Sequence, residues 1–165
     1  MQIKFKLNGK VIQDDVAPDM MLLEYVRSQG CFSVKRGCET ANCGLCTVLV
    51  DGIPVLSCST LAVRADGKEV TTLEGMKKEA EEFGGFLADE GAEQCGFCSP
   101  GFIMNVLAMV RELENPTIEE MKEYLSGNLC RCTGYMGQLR AIRKYMAVKK
   151  QSEKEKEVQA WGTEW

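Results

Sequence analysis

The sequence predicts an α+β fold of two domains, with a small mixed β-sheet and one helix in residues 1–75 and helices throughout residues 76–148. Two observations carry this prediction. Polar and apolar residues alternate in the first part, with turn signals between the runs, whereas in the second part apolar residues recur at helical spacing. A change from strands to helices along the chain is typical of α+β proteins.

Turn signals separate the predicted strands of the first domain. Asn8-Gly9 is a strong hairpin signal between two alternating runs, and Asp51-Gly52 joins two later runs. Apolar residues on one face of residues 20–28 predict a short helix. The predicted strands span residues 2–7, 10–16, 46–50 and 53–58, and residues 69–72 add a strand at the edge of the sheet.

Four helices are predicted in the second domain. Ser99 is a candidate cap with Pro100 at the first helical position, and Thr117 with Glu120 has the pattern of a capping box. The predicted helices span residues 76–90, residues 99–113, the segment from Thr117 to Gly127, and residues 135–148.

The remaining residues, 149–165, form a charged tail. Residues 149–157 are almost all charged or polar, which predicts a solvated, frayed end. Trp161 and Trp165 nevertheless lie in the last five residues. Exposed aromatic side chains on a polar tail would suit a role as anchors on a partner surface.

The 165 residues include nine cysteines and no histidine. The missing imidazole excludes a Ser-His-Asp or Cys-His nucleophile pair, an imidazole general base, a His-ligated zinc or haem, and a Rieske centre. Any metal site must therefore be built from thiolates or carboxylates.

The net charge of −4 gives no electrostatic reason to bind nucleic acid or an anionic membrane. The alternating N-terminus lacks the apolar segment of a signal peptide, and no apolar run approaches the roughly 20 residues of a membrane span. These features predict a protein of the reducing cytoplasm, where clustered cysteines indicate metal or redox sites.

A first group of four cysteines comprises Cys38, Cys43, Cys46 and Cys58. Its C-x4-C-x2-C spacing, followed by a distant Cys, is typical of plant-type [2Fe–2S] clusters. Cys58 is expected at the end of a strand. A structural zinc site is the alternative, but the paired short knuckles of zinc sites fit this spacing less well. Small residues in the loop allow backbone N–H groups to approach cluster sulfurs, and these are Gly37, Ala41 and Gly44.

A second group comprises Cys95, Cys98, Cys130 and Cys132, with the spacing C-x2-C-x31-C-x-C. The spacing alone favours a metal site and leaves a thioredoxin-like dithiol or half of a zinc site as alternatives. Cys98 lies at the start of a predicted helix, whose dipole is expected to lower its thiol pKa. The ninth cysteine, Cys31, is predicted to be a small buried apolar residue.

Two strings around the second group closely resemble the iron–sulfur subunit of the molybdenum hydroxylases, the family of xanthine dehydrogenase, aldehyde oxidoreductase and carbon monoxide dehydrogenase. They are QCGFCSPG at residues 94–101 and GNLCRCTGY at residues 127–135. The first cysteine loop is similar to the plant-type motif of the same family. The resemblance covers residues 2–147.

The resemblance implies a β-grasp ferredoxin-like domain followed by an all-α four-helix domain, each with one [2Fe–2S] cluster. It implies that the second group of cysteines binds the proximal cluster, which faces the molybdenum cofactor on a large partner subunit. The first group would bind the distal cluster, nearer to FAD on a medium partner subunit. Gln94 and Cys132 would lie near the pterin of the molybdenum cofactor.

The loop departs from the family pattern, which runs Gly-Cys-Gly-Glu-Gly at the first ligand. Glu39 and Ala41 stand where that pattern has its glycines. If position 41 needs a positive φ, alanine costs about 1 kcal/mol there. Cluster loss is not expected, because the ligands are unaffected.

Three functions follow from these observations. The chain has neither a G-x-G-x-x-G fingerprint nor an evident catalytic base, so as a molybdenum hydroxylase subunit it would conduct electrons while partner subunits perform the substrate chemistry. The substrate would be a purine or another N-heterocycle, or an aldehyde. A stand-alone ferredoxin-type carrier is the alternative, although it would not need the helical domain. A zinc-stabilised adaptor is the third.

Overall fold

A computed structural model describes the backbone of residues 1–161 and the side chains of residues 1–152. The predicted anchoring role of Trp161 and Trp165 therefore lies outside the described side chains. The strands are β1 (Gln2–Leu7), β2 (Lys10–Asp15), β3 (Thr47–Val50), β4 (Ile53–Leu56) and β5 (Glu69–Thr71). The α-helices are α1 (Leu22–Ser28), α2 (Lys77–Asp89), α3 (Ser99–Glu112), α4 (Ile118–Tyr124) and α5 (Met136–Trp161). Among these residues, no helix is both long and apolar enough to cross a bilayer.

The five strands form one mixed sheet in the order β2-β1-β5-β3-β4. The hairpin between β1 and β2 turns at Asn8 and Gly9, which have φ values of 50° and 78° as a type I′ turn requires. The prediction of an edge strand at residues 69–72 is wrong. β5 lies in the middle, parallel to β1 and antiparallel to β3. Its position depends on a crossover between distant segments, which a three-residue strand does not reveal.

The core of this first part lies between the sheet and α1. Inward residues of β1 alternate with exposed ones, so Ile3, Phe5 and Leu7 all face the core. The Phe5 ring packs against Tyr25 of α1, with ring centroids 5.5 Å apart. Cys31 follows α1 and is also buried in this core, as predicted.

The helices of the second part share a separate core. Phe83 of α2 lies at its centre and packs against Phe102 of α3 and Tyr145 of α5. The predicted capping box is present at the start of α4, where Thr117 and Glu120 satisfy each other's backbone N–H groups. Ser99 is the first residue of α3 rather than its cap, and Cys98 takes the cap position.

The last helix is longer than predicted. α5 continues past residue 148 to Trp161, through the segment expected to be a frayed tail. Three ion pairs hold its first half against α2 and the residue that follows α2. Lys149 binds Glu82, and both Lys144 and Arg140 bind Glu90. The α+β architecture of a ferredoxin-like sheet followed by helices is confirmed.

The two parts meet where α3 packs against β3 and β4. Gly101 of α3 allows this contact, because a Cβ at that position would overlap the carbonyl oxygen of Gly44 in the first cysteine loop. Both cysteine groups lie near this junction.

Candidate metal centres

The first group of cysteines is brought together by two segments. Cys38, Cys43 and Cys46 lie on the loop between α1 and β3, while Cys58 lies on a short 3-10 turn after β4, just beyond the strand end where it was expected. The thiols form two contacting pairs, Cys38 with Cys43 and Cys46 with Cys58. All three loop thiols lie close enough to Cys58 to raise its pKa by their charge.

Backbone amides point at the sulfur of Cys38. The N–H groups of Asn42 and Thr40 donate hydrogen bonds that lower the pKa of the Cys38 thiol to about 6. Burial has the opposite effect on Cys58, and together with the neighbouring Cys46 it raises the pKa of that thiol to about 12. The loop therefore stabilises a thiolate at Cys38, whereas Cys58, on the turn after β4, keeps its proton unless a positive charge lies beside it.

The loop reaches this arrangement through left-handed backbone conformations. Ala41 has a φ of 52° and Gly44 has a φ of 74°. The condition under which alanine is strained at position 41, a positive φ, is therefore met. Gly44 is also confined by its surroundings, because a Cβ there would come within 2.5 Å of Gly127 O and Asn128 Nδ2.

The second group combines a turn and a loop from the helical part. Cys95 and Cys98 precede α3, and Cys130 and Cys132 lie between α4 and α5. The thiols again form two pairs. The Sγ atoms of Cys95 and Cys132 are 3.5 Å apart, and Cys98 is within hydrogen-bond reach of Cys130.

The thiols of the inner pair differ in pKa. Burial, followed by the nearby Cys130, raises the pKa of Cys98 to about 12. The expectation that the helix dipole would lower it is wrong, because burial outweighs the dipole at this cap position. Burial also acts on Cys130, but the hydroxyl and N–H of Thr133 donate to its sulfur and lower the pKa to about 7. The Thr133 Oγ1 atom lies 3.2 Å from that sulfur.

One side of the second group is open to solvent. Cys95 and Cys132 are exposed, and Gln94 beside them is exposed as well. Two large apolar side chains close to these cysteines in sequence are exposed as well, Phe97 at 50% and Met136 at 62%. The first group is more enclosed, since Cys43 and Cys46 are buried.

Several contacts at these sites were not predicted. Thr133 and Tyr135 both contact Cys130: the Thr133 hydroxyl lies by its sulfur, and the Tyr135 hydroxyl accepts from its N–H at 2.8 Å. Their positions close to a candidate ligand were the only sequence signal for these contacts. Lys35 donates to Phe97 O at 3.2 Å across the junction. Nothing in the sequence marks Lys35 for this contact. Cys31 belongs to neither group. Among the residues whose side chains are described, no three cysteine, aspartate or glutamate side chains lie together as a site for a single metal ion would require.

Comparison with known proteins gives two matching family models. A model described as a 2Fe-2S iron-sulfur cluster binding domain matches residues 10–81. A model described as a [2Fe-2S] binding domain matches residues 72–143. The two matches together cover both cysteine groups.

Two curated relatives match over most of their length. The xanthine dehydrogenase iron-sulfur-binding subunit of Escherichia coli O157:H7 is 49% identical over 142 residues, which are 81% of this chain and 86% of that subunit. The nicotinate dehydrogenase small FeS subunit of Eubacterium barkeri is 40% identical and covers 86% of this chain and 92% of its own length.

A solved structure has the same fold. A chain of quinoline 2-oxidoreductase from Pseudomonas putida 86 superposes with a TM-score of 0.79 at 39% identity, covering 86% of this chain and 90% of that chain.

Proposed function

Because this chain belongs to the iron–sulfur subunits of the molybdenum hydroxylase family, we propose that its eight grouped thiols hold two [2Fe–2S] clusters. Cys38, Cys43, Cys46 and Cys58 would bind one cluster. The other would be bound by Cys95, Cys98, Cys130 and Cys132. The chain itself is the electron-transfer subunit of an oxidoreductase rather than a stand-alone ferredoxin.

The pairing of the thiols is the observation that supports this proposal. A dinuclear cluster has two metal ions, and each needs two cysteine sulfurs. Both groups consist of two contacting pairs, which suits a dinuclear cluster, whereas a single zinc ion would draw all four sulfurs into one tetrahedron. When bound, such clusters take up and release one electron at a time.

Residues around the cysteines donate hydrogen bonds to their sulfurs and shield the sites from water. Backbone N–H groups at Cys38 and the Thr133 hydroxyl at Cys130 donate to sulfur, which stabilises the more negative state of a bound cluster. Cys46 is buried and Cys98 is half-buried, which limits the access of water to the inner side of each site. The chain thus sets potentials and leaves the substrate chemistry to other subunits.

We infer that a large molybdenum-cofactor subunit covers the open side of the second site. Close in sequence to the exposed thiols of Cys95 and Cys132 lie Phe97 and Met136, whose exposed apolar surface would be buried by such a partner. Gln94 and Cys132 would then lie near the pterin. The first site would face a medium FAD subunit.

The substrate of the complex is proposed to be an N-heterocycle. Xanthine, nicotinate and quinoline, in the names of the relatives, are all N-heterocycles. We also assign the chain to the cytoplasm, because none of its nine cysteines forms a disulfide. Purification of the native complex, followed by sequencing of the large subunit and assay with purines, pyridines and aldehydes, tests both the partner and the substrate. Turnover of aldehydes alone would contradict the substrate proposal.

Iron and EPR measurements test the clusters themselves. We expect four irons per chain and two distinct signals on reduction, as two dinuclear clusters require. Cys46→Ser and Cys98→Ser should each remove one signal and half of the iron, while Cys31→Ser, a change at a buried thiol outside both groups, should keep both signals. A colourless protein that contains zinc and no iron would refute the proposal.

A further inference from the structure

Lys35 belongs to the first part of the chain, but its side chain reaches the second cysteine group. Its own N–H donates to the carbonyl oxygen of Leu45 at 3.2 Å, which fixes its backbone to the first cysteine loop. Its ammonium group donates to the carbonyl oxygen of Phe97 at 3.2 Å, and Phe97 lies between Cys95 and Cys98. A cation that is anchored in one part is therefore held at a turn that carries two proposed ligands of the other part.

Two contacts with Phe97 hold the Lys35 ammonium in place. Besides the hydrogen bond to the carbonyl oxygen, the ammonium lies 4.7 Å from the centroid of the Phe97 ring, within the range of a cation–π interaction. Lys35 is half-buried, so solvent ions screen its charge less than that of a fully exposed lysine. Among the described side chains, no other lysine or arginine donates a hydrogen bond to residues 94–99. Lys35 is thus the cation that this turn holds directly.

The backbone of this turn connects the cation to both sulfurs. The N–H of Phe97 donates to the sulfur of Cys95 and is the largest cause of the lowered pKa of that thiol. The Phe97 carbonyl shares its peptide group with the N–H of Cys98. Burial raises the pKa of the Cys98 thiol, and this N–H acts against that effect at the sulfur of the same residue. A cation on the carbonyl oxygen polarises the peptide group and makes its N–H a stronger donor.

We propose that Lys35 is a positioning residue that acts through Phe97 and raises the reduction potential of the second site. This inference rests on the proposed function. Reduction adds one electron to the second site, and a cation held at its turn stabilises the added negative charge. Lys35 keeps its proton in both states, and no covalent bond changes. Because the first part of the chain supplies this charge, the second site has its full potential only when the two parts are packed together.

Redox titration of the full chain with both clusters loaded tests this assignment, and EPR follows each site separately. Lys35→Met removes the charge and keeps the apolar stem of the side chain. We expect it to shift the second site about threefold to tenfold toward the oxidised form, which for a one-electron couple is a potential roughly 30–60 mV lower. The first site should shift less, although Lys35 lies only three residues before Cys38 in the sequence.

Lys10→Met is the matched control, because it makes the same change of charge far from the second site. Lys10 is exposed on β2, which forms one edge of the sheet, whereas α3 packs against β3 and β4 at the other. Both potentials should stay native in this variant. Two further variants separate the charge from the hydrogen bond: Lys35→Arg keeps the charge and should keep the potential of the second site, and Lys35→Gln keeps a donor without charge and should lower it.

Three results distinguish the proposal from its alternatives. A native potential at the second site in Lys35→Met, with full iron content, would overturn it, and so would a shift that is larger at the first site than at the second. If Lys35→Met loses a cluster, the other two variants decide, since equal potentials in Lys35→Arg and Lys35→Gln contradict a role of the charge. A native chain that lacks two EPR signals would instead contradict the proposed function.

Discussion

Ala41 is the residue whose replacement most directly tests the geometry of the first cysteine loop. Its φ of 52° lies in the left-handed region, where the methyl group of an L-residue is crowded by its own backbone. Ala41→Gly removes this crowding. We therefore expect the substitution to raise the stability of the folded chain.

The size of the effect follows from three terms. Relief of the left-handed conformation gains about 1–2 kcal/mol. The greater freedom of glycine in the unfolded chain offsets about 0.4–1 kcal/mol of this gain, and loss of a half-buried methyl group offsets a few tenths more. The net gain is about 0.5 kcal/mol, or about 1–2 °C in Tm for a chain of this length.

Ala17→Gly is the matched control. Ala17 is exposed, and it is not among the residues with positive φ. Glycine at this position therefore only increases the conformational entropy of the unfolded chain, which lowers stability. We expect Ala17→Gly to lower the stability by about 0.4–1 kcal/mol, the opposite sign. Unfolding of both variants is followed by far-UV circular dichroism at one scan rate, with the clusters loaded. If Ala41→Gly lowers Tm as much as Ala17→Gly does, the strain argument is wrong.

Three further substitutions or treatments have expected outcomes. In the metal-free chain, iodoacetamide should label Cys38 before Cys58, and labelling of Cys38 should have its midpoint near pH 6. The reason is that the Cys38 thiolate forms above its lowered pKa of about 6, whereas the pKa of Cys58 is raised to about 12. Equal labelling of the two thiols at pH 7 would contradict this. Thr117→Ala should lower the free energy of unfolding by about 1 kcal/mol in denaturant titrations because the capping box is lost, and Thr117→Ser should retain it. Thr133→Val should lower the reduction potential of the second site only, while Thr133→Ser keeps the native value; a redox titration with an unchanged Thr133→Val potential would show that the hydroxyl does not tune the cluster.

Much of the fold was predictable because its signals are local. The Asn8-Gly9 turn needs two residues with positive φ, and these residue types tolerate it, so the hairpin was identifiable from the chain. The capping box at Thr117 has a fixed spacing of partners and was equally identifiable. The family's glycine pattern left open whether position 41 needs a positive φ, and the structure gives Ala41 a φ of 52°.

The predictions that the structure contradicts concern β5, α5 and the pKa of Cys98, and they share a different cause. β5 is central because distant segments place it between β1 and β3, and a three-residue strand has no pattern that shows this. α5 extends through the charged segment, where the sequence lacks the apolar periodicity used to predict helices. The pKa of Cys98 depends on how deeply the thiol is buried, which outweighs the helix dipole.

The sequence by itself determined which cysteines form the two groups and which chemistry they suit, because ligand spacing and the absence of histidine can be read along the chain. Only the tertiary structure decided which sulfurs pair, which site is open to a partner, and that Lys35 and Phe97 are hydrogen-bonded. The reason is that these properties depend on contacts between segments far apart in sequence. Gly44, Gly101 and the buried amide of Asn128 permit such contacts, and their role is visible only where the two parts pack together.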